Sequence, residues 1–336
     1  MSSSSETQQK LKQIENILGL NTHITGKKLK IYQSDIASFE FLNQMDVSEL
    51  HIEYCKVILS GIPSNILKLR IDNCNLVDIG ALRDLNVQFL DLSQNSIKSI
   101  PFFSNNQLSH LNIGANKISK LDSLINLNLV SLIVYENFIS NLSPISFKAS
   151  LTVLNLRQNK ISNIAPLQNL IHLHELHLQN NQIYNLNPLK KLILLHSLHL
   201  SNNQIVDISV LKYLINIQEL QLENNKIIYA HVLKQNQISV LDLTRNSIID
   251  AEDINGHIGF QMKPNSQQIQ NANVMQIINE QLFKIIQIFE NRKQLTLKLN
   301  EGKVKSVQNV QKMKSNQTRF LDKTTQLLTY NSGVEQ

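Results

Sequence analysis

The chain has 336 residues, 42% of them hydrophobic, with no tryptophan, 9 glycines and a formal net charge of +6. That length allows two domains or one elongated one, and the wealth of Ile, Leu and Asn beside scarce glycine argues against an all-β sandwich and for a repetitive architecture. No window approaches the ~18 consecutive apolar residues that a membrane span needs. Two cysteines, Cys55 and Cys74, are too few for a disulfide framework or a four-ligand zinc site. The charge is uneven: residues 1–254 hold 21 basic and 21 acidic side chains, and residues 255–336 hold 11 basic against 5 acidic.

The opening MSSSSETQQKLKQIENILGL has no basic cluster followed by an apolar stretch. A secretory leader is therefore not expected, and the expected location is cytoplasmic, with nuclear or cytoskeletal sites as alternatives. Ser5 or a serine before it can cap a helix whose Leu11, Ile14 and Leu18 fall at helical spacing. Stacked repeats need a cover over their open core, so residues 1–24 are assigned as a helical N-terminal cap.

Repetition then takes over. Residues 173–183 read LHELHLQNNQI and residues 195–205 read LHSLHLSNNQI, an offset of 22. Aligning on L-x-L-x-x-N-x-I places Asn95, Asn116, Asn137, Asn159, Asn181, Asn203, Asn225 and Asn246 in one slot, with Cys74, Cys55 and Ser34 in the same slot further back. Eleven turns are readable between residues 25 and 254. L-x-L puts two apolar side chains on one side of a short strand, and only stacking of neighbours buries that side. At ~4.8 Å per strand the stack makes an arc about 50 Å long. The slot residue turns the chain out of the strand, and its amide satisfies backbone groups that would otherwise be buried unpaired. All eleven slot residues, both cysteines included, are thus assigned as a structural ladder. Pro144, Pro166 and Pro188 recur at 22-residue steps and mark short 3₁₀ or α turns on the opposite side.

The repeats, such as NKISNIAPLQNLIHLHEL and NQIVDISVLKYLINIQEL, resemble the leucine-rich-repeat family in its 22-residue class, shared by a phosphatase-1 regulatory subunit and by bacterial internalins. The resemblance implies an α/β solenoid over residues 25–254, a curved parallel sheet with short turns on its convex side, whose work is binding. A phosphatase-1-like enzyme is among the partners it implies.

Residues between the ladder leucines face the concave side. The middle column reads Lys30, His51, Arg70, Asp91, Asn112, Ile133, Asn155, His177, His199, Gln221 and Asp242, flanked by Glu49, Glu53, Asp72, Phe89, Tyr135, Arg157, Glu175, Glu219 and Glu223. A mixed polar strip with isolated aromatics fits protein recognition. The partner-binding residues assigned are His51, Arg70, Asp91, Asn112, Tyr135, Asn155, Arg157, His177, His199, Gln221, Glu223 and Asp242. His172, His174, His177, His196 and His199 cluster, and His177 and His199 should stand roughly 5 Å apart on adjacent strands. Zinc sites usually need three or four ligands, so a mildly pH-sensitive surface is expected there, with no metal and no cofactor.

Beyond residue 254 a basic, helical extension is assigned over residues 255–336. Met275, Ile278, Leu282, Ile285 and Phe289 follow a heptad pattern that suits a covering helix or a coiled coil. The basic run of Arg292, Lys293, Lys298, Lys303, Lys305, Lys312, Lys314, Arg319 and Lys323 offers nucleic acid or another anionic surface an electrostatic contact. No glycine-rich phosphate loop, GxSxG or HExxH appears. The reading is a non-enzymatic scaffold or adaptor that binds a protein on its concave face. The alternative is a ribonucleoprotein or cytoskeleton-associated component that uses the basic C-terminal helices.

Overall fold

The computed structural model describes residues 18–104 and 107–250, with Gln9, Lys12, Glu15 and Asn16 before them. The extension assigned to residues 255–336, with its heptad and its basic run, lies outside the described residues.

The strands, in chain order, are β1 (Asn21–Thr25), β2 (Lys28–Tyr32), β3 (Asp35–Ile36), β4 (Glu49–Glu53), β5 (Lys56–Val57), β6 (Lys68–Asp72), β7 (Phe89–Asp91), β8 (His110–Asn112), β9 (Ser131–Ile133), β10 (Val153–Asn155), β11 (Glu175–His177), β12 (Ser197–His199), β13 (Glu219–Gln221) and β14 (Val240–Asp242). Apart from the short pair β3 and β5, they form one sheet in strictly sequential order. From β2 onward neighbours are parallel, as a solenoid with one strand per turn requires.

Each strand buries its alternate leucines. Leu176 and Leu178 on β11 and just after it, and Leu198 and Leu200 one turn later, are fully inaccessible. Burial of each such side chain is worth roughly 1.5–3 kcal/mol, realised only because the next turn covers it. On the convex side the described turns are 3₁₀ helices, among them Ser143–Ile145, Ala165–Asn169 and Asn187–Lys191, each with proline in its first turn. Asn141, Asn163, Asn185 and Asp207 start these turns: each Oδ1 accepts the backbone N–H two residues on, at 2.8–3.0 Å.

The N-terminal end differs from expectation. The described residues up to Leu18 that precede Gly19 are helical, but the helical turn stops at Gly19, whose φ of +63° suits a helix C-terminus. Residues 21–24, placed by the sequence at the end of the helical cap, belong instead to strand β1, antiparallel to β2 with Asn21 opposite Tyr32. Gly26, at φ +59°, supplies the positive φ that the two-residue hairpin loop needs. The first parallel strand is thus covered by a hairpin partner.

Candidate functional site

The ladder residues tie the turns together. Asn181 shows the pattern: its Oδ1 accepts the Ile161 N–H at 3.0 Å, and its Nδ2 donates to the carbonyls of Leu156 one turn back (3.0 Å), Leu178 (3.1 Å) and Gln179 (3.3 Å). Asn116, Asn137, Asn159, Asn203, Asn225 and Asn246 repeat it, and Asn95 accepts from both Cys74 and Leu76. In the earlier turns the slot does less. Ser34 Oγ donates to the Tyr32 carbonyl at 2.8 Å, while the thiols of Cys55 and Cys74 reach one turn back only at 3.8 Å. Cys74's hydrogen bond holds the Cys55 thiol down to about 7, while Cys55 and burial push Cys74 up. Immediately before every ladder residue stands a non-glycine at positive φ, from Gln33 (+46°) to Asn202 (+59°). That left-handed residue turns the chain away from the strand.

Strand pairing assembles the concave surface. Lys30, His51, Arg70, Asp91, Asn112, Ile133, Asn155, His177, His199, Gln221 and Asp242 stand directly opposite one another in one continuous row. Tyr135, Arg157 and Glu223 lie two residues past the row, on the same face.

The first turns carry a charge-balanced network. Asp72, 4% exposed, takes both the His51 Nε2 (2.8 Å) and the Arg70 Nε (2.9 Å) on Oδ1. Lys30 Nζ pairs with Glu53 at 2.7 Å, and Lys68 Nζ with Glu49 at 2.7 Å. Burial alone would raise the Asp72 carboxyl, but the hydrogen bonds and charges of His51 and Arg70 outweigh it and bring it down to about 2. Ligand atoms of His51, Glu53 and Asp72 lie within 4.8 Å of one another, the grouping among the described residues that has the spacing for a metal ion. Lys30 and Arg70 already neutralise both carboxylates, so the chemistry of this set is that of an ion-pair network.

Farther along, Gly114 and Tyr135 form a shaped contact. A Cβ on Gly114 would stand 2.2 Å from the Tyr135 ring, so the ring packs against bare backbone there. Arg157 sits over that ring at 5.5 Å and pairs with Glu136. Burial, then Asp91 and Glu136, raises the Tyr135 phenol, which stays protonated. The glycine is legible in the sequence, but only the direction of the tyrosine ring shows what it is for.

The histidines do come together. Rings of His177 and His199 stand 4.4 Å apart, and those of His174 and His196 stack in parallel at 5.5 Å. Burial, then the neighbouring His199, lowers the His177 imidazole. His199 Nε2 lies 2.8 Å from the Ser197 hydroxyl and 3.3 Å from Glu219.

The family pattern of tandem leucine-rich repeats matches residues 85–126 and 149–191. Among solved structures, an internalin (inlF) of Listeria monocytogenes is 24% identical with a TM-score of 0.60, covering 78% of this chain and 92% of its own. The functional domain of InlJ from Listeria monocytogenes, described as including a cysteine ladder, is 19% identical with a TM-score of 0.56, covering 70% and 53%. The plant peptide hormone receptor RGFR1, solved in complex with RGF2, is 16% identical with a TM-score of 0.55, covering 68% and 42%. No curated protein matches the chain. The chain is a leucine-rich-repeat protein. No helix among the described residues is long and apolar enough to cross a membrane.

Proposed function

We propose that the chain is a non-enzymatic scaffold or adaptor that binds a protein partner on its concave face. The observation that carries this reading is Tyr135, an aromatic pressed onto Gly114 and flanked by Arg157 in the middle of a mostly polar strip. Aromatic and arginine side chains held in place before binding lose little entropy on docking and often dominate interface energy. The likeness in fold to a receptor bound to its peptide supports the same reading. A phosphatase-1-like enzyme belongs among the partners tried first, and a cytoplasmic location goes with the reading.

The test is affinity capture from cell lysate with the full chain and with Tyr135→Ala and Gly114→Ala, read by mass spectrometry. Both variants should lose a partner that a control at an exposed tyrosine outside the strands, Tyr184→Ala, retains. A partner captured equally by all four forms would overturn the concave reading. The charge asymmetry of residues 255–336 favours a second reading, a ribonucleoprotein or cytoskeletal role through that segment. It predicts retention on RNA or on microtubules that falls steeply with salt.

A further inference from the structure

The two halves of the concave face handle their carboxylates differently. On β4 and β6, Glu49, Glu53 and Asp72 are each matched by Lys68, Lys30 and Arg70. From β11 to β14 the face presents Glu175, Glu219, Glu223 and Asp242, and the basic side chain that joins them is Arg245, 3.3 Å from Glu223 and 70% exposed. Glu175 and Glu219 meet histidines instead: His177 at 3.9 Å and His199 at 3.3 Å. With burial holding the His177 imidazole below its usual range, that ring adds no compensating charge near neutrality. The acidic half therefore has unspent negative potential, with the half-exposed Val240 on β14.

We propose that β11 to β14 receive a basic, extended segment of the partner protein, with lysine or arginine side chains paired to Glu175 and Glu219. This inference rests on the concave-face reading and adds the partner's chemistry. Glu175 and Glu219 lie on strands two apart, about 10 Å, which is the reach of roughly three residues of extended chain. Because side chains alternate faces along a strand, the partner's basic side chains are two or four residues apart on one face, with their long flexible stems taking up the difference. The rings of His177 and His199, 4.4 Å apart, offer polarisable faces beside the carboxylates. A partner of this kind gains on-rate from the field as well as affinity from the pairs.

A random twelve-residue peptide display library selected on the full chain tests this, in parallel with Tyr135→Ala and with the double variant Glu175→Gln/Glu219→Gln. Peptides whose recovery falls at least tenfold on Tyr135→Ala report the concave face. Within that set, Lys and Arg should outnumber Asp and Glu several-fold, and their recovery should also fall at least tenfold on the double variant. A parallel Glu49→Gln/Glu53→Gln variant should leave it unchanged. Tyr135-dependent peptides with no basic excess, or with recovery indifferent to Glu175 and Glu219, overturn the basic-partner inference and leave the concave reading standing. If the Glu49/Glu53 variant loses as much, the attraction is diffuse and the inference also falls. A selection without any Tyr135-dependent peptide removes both.

Discussion

The early turns and the later turns of this solenoid solve one problem in two ways. Strands β2, β4 and β6 are each five residues long and pair along their full length, and their ladder slots hold Ser34, Cys55 and Cys74. From β7 onward the strands shorten to three residues, and an asparagine fills every slot. Where the backbone ladder is long, a weak side-chain bridge suffices. Where it is short, the asparagine amide completes the hydrogen bonding that the strand leaves open, including the inter-turn bonds to the Leu156 carbonyl and the Ile161 N–H at Asn181. Thiol contacts at 3.8 Å cannot substitute for that.

The sharpest way to break this comparison is to delete one member of each kind. Asn181→Ala removes four hydrogen bonds and strands buried carbonyls and an N–H, a loss of about 3 kcal/mol or more. Cys55→Ala should cost only about 1 kcal/mol, since it removes weak sulfur contacts and little volume. Urea midpoints of the two variants measure the difference. Equal losses would mean that the ladder contributes no more where the strands are short.

The second test uses the charge network, which the early turns have and the later ones lack. The Asp72 carboxyl lies at about 2 in the folded chain against an ordinary 3.8, so it contributes stability that is fully present above pH 4. That contribution, about 2 kcal/mol, disappears as the pH falls toward 2. Between pH 5 and pH 2 the urea midpoint should fall, and Asp72→Asn should flatten this slope while lowering the value at pH 7. In the later turns the sign is the same but the window lies at higher pH. His177 binds protons less readily folded than unfolded, so stability is intact above the ordinary imidazole value of 6.5 and declines as the pH drops below it. His177→Gln should remove that smaller dependence between pH 7 and pH 5, and an unchanged slope would place its origin elsewhere.

The sequence makes the later turns far more legible than the early ones, for physical reasons. A repeat of 19 to 22 residues anchored on the ladder slot states strand register directly, so the row from Lys30 to Asp242 and the opposition of His177 to His199 can be read from letters alone. Strand β1 cannot: NTHIT is short and partly exposed along its whole length, and no apolar stripe separates it from the helical residues before it. Gly19 was the available signal for the stop. Asp72 reads as one more flanking acid, because its burial comes from His51 and Arg70 on two different strands closing over it. The role of Gly114 depends on which way the Tyr135 ring falls, and a one-dimensional pattern does not carry rotamers. The charge imbalance of the later concave face was present in the letters too, but it stands out only once the early carboxylates are seen to be paired.

The smallest expected effect concerns the left-handed residue before each ladder position, a feature common to both regions. In the later turns Asn180, Asn202 and Asn224 occupy it, and asparagine accepts that conformation at lower cost than other residues with a Cβ. Ala115 holds φ +52° with no such advantage. Ala115→Gly should therefore raise stability by about 0.5–1 kcal/mol, because glycine enters the left-handed region freely and the strain outweighs the extra unfolded-state entropy. Asn202→Ala should move the urea midpoint the opposite way by a comparable amount. The Ala115 N–H bond to the Tyr135 carbonyl, 2.7 Å, is a backbone contact that the change to glycine leaves in place. A gain in Ala115→Gly would identify this position as a site where the turn stores strain. A loss would show that the Ala115 methyl packs more favourably than its backbone angle costs.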